Sequence, residues 1–74
     1  MFVFDSIGEG IINLNTSDCI FIEEEDDYWG IFSRHGEKDY ALAYYQSRER
    51  CAALLREITK KIELGYNLFS MPEM

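Results

Sequence analysis

The sequence predicts an α+β fold: a four- to five-stranded antiparallel sheet with one C-terminal helix packed across one face. Two observations predict it. Up to Tyr45 the apolar residues come in short, aromatic-rich, alternating runs, which are typical of strands. From Ser47 they recur at steps of three and four, the spacing of one long amphipathic helix. A chain of 74 residues is expected to form a single domain, residues 1–74.

Short polar segments separate the strand candidates. An N-terminal strand or arm lies in residues 1–10, and a strand meander occupies residues 11–46. Within the meander, the strand candidates are residues 11–15, 19–23, 28–33 and 39–45. Residues 24–27 and 34–38 are the predicted hairpin loops, and connections this short favour antiparallel neighbours.

Strict alternation assigns the side chains of the last two strands to opposite faces of the sheet. The face toward the helix is expected to carry Trp29, Ile31, Tyr40, Leu42 and Tyr44. The face turned away is expected to carry Tyr28, Phe32 and Tyr45. An aromatic second face indicates a homo-oligomer interface, a binding surface for another molecule, or a face covered by the apolar tail.

The helix is predicted over residues 47–65. Ser47 is a suitable N-cap, and Gly65 is a suitable residue for its C-terminal end. The apolar stripe expected to lie on the sheet consists of Cys51, Leu54, Leu55, Ile58 and Ile62. The tail, residues 66–74, is apolar and is expected to pack back on the sheet or to cross to another subunit.

The formal net charge is -7, and it is unevenly placed. Residues 1–45 carry ten acidic and two basic side chains, whereas residues 46–74 carry four and five. Because an acidic surface repels the nucleic-acid backbone, no direct nucleic-acid binding is expected. No apolar run approaches membrane-spanning length, so no membrane association is expected.

The two cysteines indicate a reduced, intracellular protein. The N-terminus lacks the basic region of a signal peptide, and Asp5 interrupts its apolar run. Cys19 and Cys51 are therefore expected to be buried free thiols rather than a disulfide.

The acidic run formed by residues 23–27 has three interpretations. A calcium site needs alternating oxygen ligands, a glycine and a distal glutamate, and that spacing is absent, so no metal site is predicted. The run can mimic a phosphate backbone in front of a basic groove. It can also be a solvated loop that prevents edge-to-edge aggregation.

Catalytic chemistry has little support in the sequence. His35 is the only histidine, and a triad would need a nucleophile and an acid converging on it, with Ser33, Ser47 and Asp39 as candidates. No catalytic residue, no cofactor and no enzymatic activity are predicted. Arg48 and Arg50 at the helix start are candidates for holding a nucleotide phosphate while an aromatic residue such as Tyr44 stacks on the base.

Two segments resemble known sequences: IINLNTSDCIFIEEEDDYWGIFSR, and SRERCAALLREITKKIELGYNLFSMPE, which follows a tyrosine-rich strand. Together they resemble small uncharacterised proteins of Firmicutes and their phages over residues 11–73. The most specific pieces are residues 12–15, residues 23–27 and Met71-Pro72. The resemblance implies a bacterial or phage context, hence the cytoplasm of a bacterial host, and it implies no active site.

The sequence and this resemblance together predict a small acidic, non-catalytic binding protein, a phage- or mobile-element-encoded inhibitor of a host defence or nuclease factor. It is expected to form a homodimer or a higher homo-oligomer. The residues predicted to contact the partner are Glu23, Glu24, Glu25, Asp26, Asp27, Tyr28, Phe32 and Tyr45. The alternative is an oligomeric sponge that sequesters a nucleotide signal between subunits through Arg48, Arg50 and Tyr44.

Overall fold

The computed structural model describes residues 1–5 and 10–73. The parts of the predicted N-terminal segment and tail that fall on residues 6–9 and 74 lie outside the described residues. The elements are β1 (Phe2–Phe4), β2 (Ile11–Asn13), a 3-10 turn (Leu14–Thr16), β3 (Cys19–Glu25), β4 (Tyr28–His35), β5 (Lys38–Tyr45), α1 (Arg48–Glu63) and β6 (Leu68–Ser70). The predicted α+β class with one helix is therefore confirmed for the described part of the chain.

The strands form two three-stranded sheets rather than one sheet of four or five, so that part of the prediction is wrong. The large sheet is the antiparallel meander β3-β4-β5. The small sheet has the order β2-β1-β6, with β1 antiparallel to β2 and parallel to β6. The 3-10 turn separates β2 from β3. Besides β2, β1 pairs with β6 in the distant tail, a pairing that no local pattern specifies.

The tail packs back on its own chain, as one of the two expectations had it. Phe69 and Met71 are buried, and β6 pairs along its whole length with β1. Main-chain hydrogen bonds close both ends of this pairing, from Phe2 N to the Asn67 carbonyl (2.7 Å) and from Met71 N to the Phe4 carbonyl (3.1 Å).

Both hairpins of the large sheet are tighter than predicted. The β3-β4 connection is Asp26-Asp27 alone, and the β4-β5 connection is Gly36-Glu37 alone. Two-residue hairpin turns require positive φ, which Asp26 (φ 40°) and Gly36 (φ 65°) supply. The strands consequently extend further than predicted, and the three glutamates of the acidic run belong to β3.

The helix follows the prediction closely. The Ser47 hydroxyl accepts a hydrogen bond from Arg50 N at 3.1 Å, which confirms the N-cap. Gly65 has φ 83° just past the helix end. Cys51, Leu54 and Ile58 are buried against the sheets, whereas Ile62 at the end of the stripe is 48% exposed.

The register between β4 and β5 contains a β-bulge. Ile31 pairs with Ala43 and Phe32 pairs with Ala41, so Leu42 is an extra residue on β5. The bulge reverses the alternation beyond it, because Tyr44 now pairs with Gly30 and Tyr45 pairs with Trp29. We call the side that carries α1 the inner face and the opposite side the outer face.

The expected placement of two tyrosines is therefore wrong. Tyr45 lies on the inner face and is only 2% exposed, and its hydroxyl donates a hydrogen bond to the Pro72 carbonyl at 2.6 Å. Tyr44 lies on the outer face and is 40% exposed. Trp29 and Ile31 face the helix as predicted, and Phe32 faces away.

One apolar core lies between the inner face of the large sheet, α1 and the small sheet. Phe69 and Met71 belong to this core on the inner face, so the described part of the tail does not cover the outer face. The buried core residues are Val3, Ile31, Leu42, Ala43, Tyr45, Cys51, Leu54, Ile58, Phe69 and Met71.

Tyr45→Phe is expected to lower the free energy of unfolding by about 1 kcal/mol, because it removes the hydrogen bond to the Pro72 carbonyl. The matched control Tyr44→Phe, on the exposed outer face, is expected to change it by less than about 0.5 kcal/mol. Urea denaturation followed by Trp29 fluorescence measures both. A larger loss for Tyr44→Phe than for Tyr45→Phe would contradict the bulge.

Candidate functional site

Four aromatic side chains line the outer face of the large sheet. They are Phe21 on β3, Tyr28 and Phe32 on β4, and Tyr44 on β5, and we call them the outer aromatic face. Phe21 and Phe32 stack with ring centroids 5.5 Å apart, and Tyr44 meets Phe32 edge-on at 5.9 Å. These geometries are the favourable ones for aromatic pairs, so the rings hold one another in fixed orientations.

Gly30 lets the Phe32 ring lie flat against the sheet. A Cβ atom at Gly30 would lie only 2.5 Å from Phe32 Cε2 and 3.1 Å from Tyr44 Cε1. The Phe32 ring therefore occupies the space above the glycine backbone, and Phe32 is only 8% exposed. Phe32 packs beneath the exposed part of this face. Tyr28 (41% exposed) and Tyr44 (40% exposed) form the part that another molecule can contact.

An ion pair closes one end of the outer aromatic face. Arg34 donates two hydrogen bonds to the Asp39 carboxylate, at 2.8 and 3.1 Å. These hydrogen bonds from Arg34 hold the pKa of the Asp39 carboxyl below its usual range. The same guanidinium lies 4.7 Å from the centroid of the Phe21 ring, a cation-π distance.

Carboxylates surround the other end. Glu23 and Glu25 share the outer face with Phe21, because alternate residues of β3 point the same way. Asp26 and Asp27 form the turn beyond them, and Glu24 points to the inner face. All five side chains of this acidic hairpin, residues 23–27, are exposed. Of the predicted contact residues, Glu23, Glu25 and Tyr28 share the outer face beside the turn, whereas Glu24 and Tyr45 point to the inner face and Phe32 is buried.

The residues of the predicted nucleotide site do not meet within one chain. Arg50 lies against the Tyr45 ring, with the guanidinium carbon 5.7 Å from the ring centroid. Tyr44 lies on the opposite face of the sheet, and Arg48 is exposed at the helix start. A nucleotide held by all three residues would need a second subunit to bring them together.

His35 lies in a hydrogen-bonded cluster that sequence reasoning left unresolved. Its Nε2 lies 2.8 Å from Ser33 Oγ, and its Nδ1 lies 3.3 Å from Thr16 Oγ1. Ser33 in turn donates to Ser17 Oγ at 2.8 Å. Because Ser33 is fully buried, its hydroxyl is out of reach of a substrate, and the cluster connects β4 to the turn before β3. Ser33 and His35 are two residues apart, which places both side chains on the same face of a strand. This spacing could have indicated their hydrogen bond.

A cleft of about 450 Å³ lies between β2 and the β4-β5 hairpin. Its walls include Asp5, Ile11, Asn13, His35 and Tyr40. Sequence reasoning missed this cleft, because it depends on the position of the small sheet beside the large one. It is separate from the outer aromatic face.

The two thiols differ in accessibility. Cys51 is fully buried and donates a weak hydrogen bond from Sγ to the Trp29 carbonyl at 3.6 Å, as expected of a core thiol. Burial raises the pKa of the Cys51 thiol and so disfavours the reactive thiolate. Cys19 is exposed on β3, which contradicts the expectation that both thiols are buried.

Comparisons with protein-family models, with curated proteins and with solved structures give no match for this chain. Among the described residues, α1 is the only α-helix, and no helix there has the length and apolarity needed to cross a membrane. Function therefore has to be inferred from the chemistry of the outer aromatic face and the acidic hairpin.

In the native protein, one thiol is expected to react rapidly with a thiol reagent and the other only after unfolding, because only Cys19 is exposed. Cys19→Ala should abolish the rapid phase, whereas Cys51→Ala should retain it. A colorimetric thiol assay with and without denaturant measures both phases. Equal rates for the two native thiols would contradict the packing of Cys51.

Proposed function

We propose that the protein is a non-catalytic binding protein that contacts a basic partner protein through the outer aromatic face and the acidic hairpin. The observation that carries the proposal is that exposed Tyr28 and Tyr44 point from the same sheet face as Glu23 and Glu25. Aromatic side chains are enriched at the centres of protein interfaces, and polar groups lie around them at the rim.

The aromatic rings supply contact area at little entropic cost. Phe32 and Gly30 fix the platform, and Tyr44 already packs edge-on against Phe32. Tyrosine also offers a hydroxyl for a polar partner at the rim of an otherwise apolar contact. In interfaces of this kind, a few such residues commonly account for most of the binding free energy.

The charges select the partner. Five consecutive carboxylates in a chain of net charge -7 produce a negative field around the hairpin tip. Such a field accelerates encounter with a basic surface and repels acidic competitors, and salt screens it. A nucleic-acid-binding groove is one such basic surface, and a row of carboxylates can occupy it in place of the phosphate backbone.

The proposed partner class is a host defence or nuclease factor, with the protein encoded by a phage or mobile element and acting as its inhibitor in the bacterial cytoplasm. The resemblance of residues 11–73 to small Firmicutes and phage proteins supports that context. The acidic hairpin supports it chemically for a factor that binds nucleic acid, because such a protein presents basic side chains to the phosphate backbone.

The alternative remains an oligomeric nucleotide sponge. Tyr44 and Arg50 lie on opposite sides of the large sheet, so a pocket that uses both would take them from different subunits, as a site between subunits requires. Native mass spectrometry of the protein purified from its host would detect a co-bound nucleotide by its mass, and such a mass would favour the sponge.

Neutralising the acidic hairpin is expected to weaken partner binding. The partner is captured from a Firmicutes lysate with the full chain, identified, and titrated at low and at high salt. We expect the Kd to rise about 10- to 100-fold, both with salt and in the variant, because the charges steer and hold a basic surface. The variant carries Glu23→Gln, Glu25→Gln, Asp26→Asn and Asp27→Asn.

Two further variants distinguish the effect of the aromatic contact on binding from the effect of acidic charge elsewhere on the chain. Tyr28→Ser with Tyr44→Ser should raise the Kd at least about tenfold, as expected for aromatic anchors. Glu57→Gln with Glu63→Gln, on the helix, removes acidic charge elsewhere and should leave the Kd nearly unchanged. An excess of wild-type protein should inhibit the identified factor. A Kd that is unaffected by salt and by hairpin neutralisation would overturn the proposal.

A further inference from the structure

The small sheet carries a second exposed apolar surface, away from the outer aromatic face. Phe2 is 46% exposed, Ile11 57% and Leu68 51%, although all three are strand residues. Leu64 (65%) and Tyr66 (51%) in the connection from α1 to β6 are also exposed, and Lys61 Nζ lies 4.4 Å from the centroid of the Tyr66 ring. Exposed apolar patches of this kind mark interaction sites in soluble proteins.

The strand register places these residues on one face of the small sheet. Phe2 pairs with Leu68 across β1 and β6, and Phe4 pairs with Ile11 across β1 and β2. Paired residues share a face, and the alternate residues Val3 and Phe69 point the other way, into the core. The small sheet is therefore apolar on both faces, and the core covers only one.

Among the described strand residues of the small sheet, no side chain on this exposed face is charged, although Asp5 lines the cleft beside Ile11. Its strand side chains are those of Phe2, Phe4, Ile11, Asn13, Leu68 and Ser70. The acidic hairpin belongs to the other sheet. A second copy of this chain, itself of net charge -7, can therefore approach the small sheet with less like-charge repulsion than at the acidic hairpin.

The area of the patch fits a dimer contact. Phe2, Ile11 and Leu68 at about half exposure, with half-buried Phe4 between them, offer on the order of 300 Å² of apolar surface. A stable interface buries about 800 Å² on each partner, rather more than half of it apolar. The patch thus supplies roughly two thirds of the apolar part of one half-interface.

We propose that two copies of this chain dimerise by packing the exposed faces of their small sheets against each other about a two-fold axis. Such a contact is isologous, because the same patch serves both subunits. It completes a two-sheet sandwich over a three-stranded sheet that is otherwise open on one side. It also leaves both outer aromatic faces free, so the dimer displays two copies of the proposed binding surface.

Sedimentation velocity of the full chain across a wide concentration range tests this contact. We expect a dimer for the wild type. Ile11→Asp and Leu68→Asp should each raise the dimer Kd on the order of 100-fold, because each buries an unpaired carboxylate in the contact. Circular dichroism confirms that each variant is folded. The matched control Tyr28→Asp, on the other sheet, should remain dimeric.

Hydrogen exchange of the wild type provides a second measurement that needs no variant. Amides of β2 and β6 should become more protected as concentration rises through the dimer Kd, and those of β3 should not. A wild-type monomer at the highest concentration would overturn the proposal, as would a dimer that survives both aspartate substitutions. The dimer does not depend on the proposed function: Tyr28→Asp should lose the partner and keep the dimer.

Discussion

The β-bulge at Leu42 is the constraint on which much of the architecture depends. One extra residue on β5 places Tyr45, rather than Tyr44, on the inner face of the large sheet. From there its hydroxyl binds the Pro72 carbonyl and holds the end of the tail. The tail can then contribute β6, which pairs with β1, and Phe69 and Met71, which complete the core. A regular strand at this position would turn this tyrosine away from the tail.

The same bulge adds Tyr44 to the outer aromatic face. Tyr44 joins Phe32 there because the alternation is reversed, and Gly30 leaves room for the Phe32 ring beneath it. The result is a molecule with two dissimilar surfaces: an aromatic face beside clustered carboxylates, and an uncharged apolar face on the small sheet. Under the two proposals, the first surface binds a basic protein and the second binds another copy of the chain.

Local sequence patterns predicted the helix, its Ser47 cap and the β3-β4-β5 meander, because each depends on residues close together in the chain. The small sheet could not be predicted, since β1 and β6 are three-residue strands at opposite ends of the chain. The acidic hairpin and Tyr28 were predicted for the site. Tyr45 was misplaced because strict alternation contains no signal for a bulge, and Cys19 was misplaced because its side chain lies on the outer face of β3, away from the core.

Nuclear Overhauser contacts from the rings of Tyr44 and Tyr45 in the wild-type protein test this account most directly. The account predicts contacts from the Tyr45 ring to core residues of the tail, and from the Tyr44 ring to Phe32. Contacts across the strands should join Ile31 to Ala43 and Phe32 to Ala41. The reverse assignment, with the Tyr44 ring in the core and the Tyr45 ring beside Phe32, would contradict it.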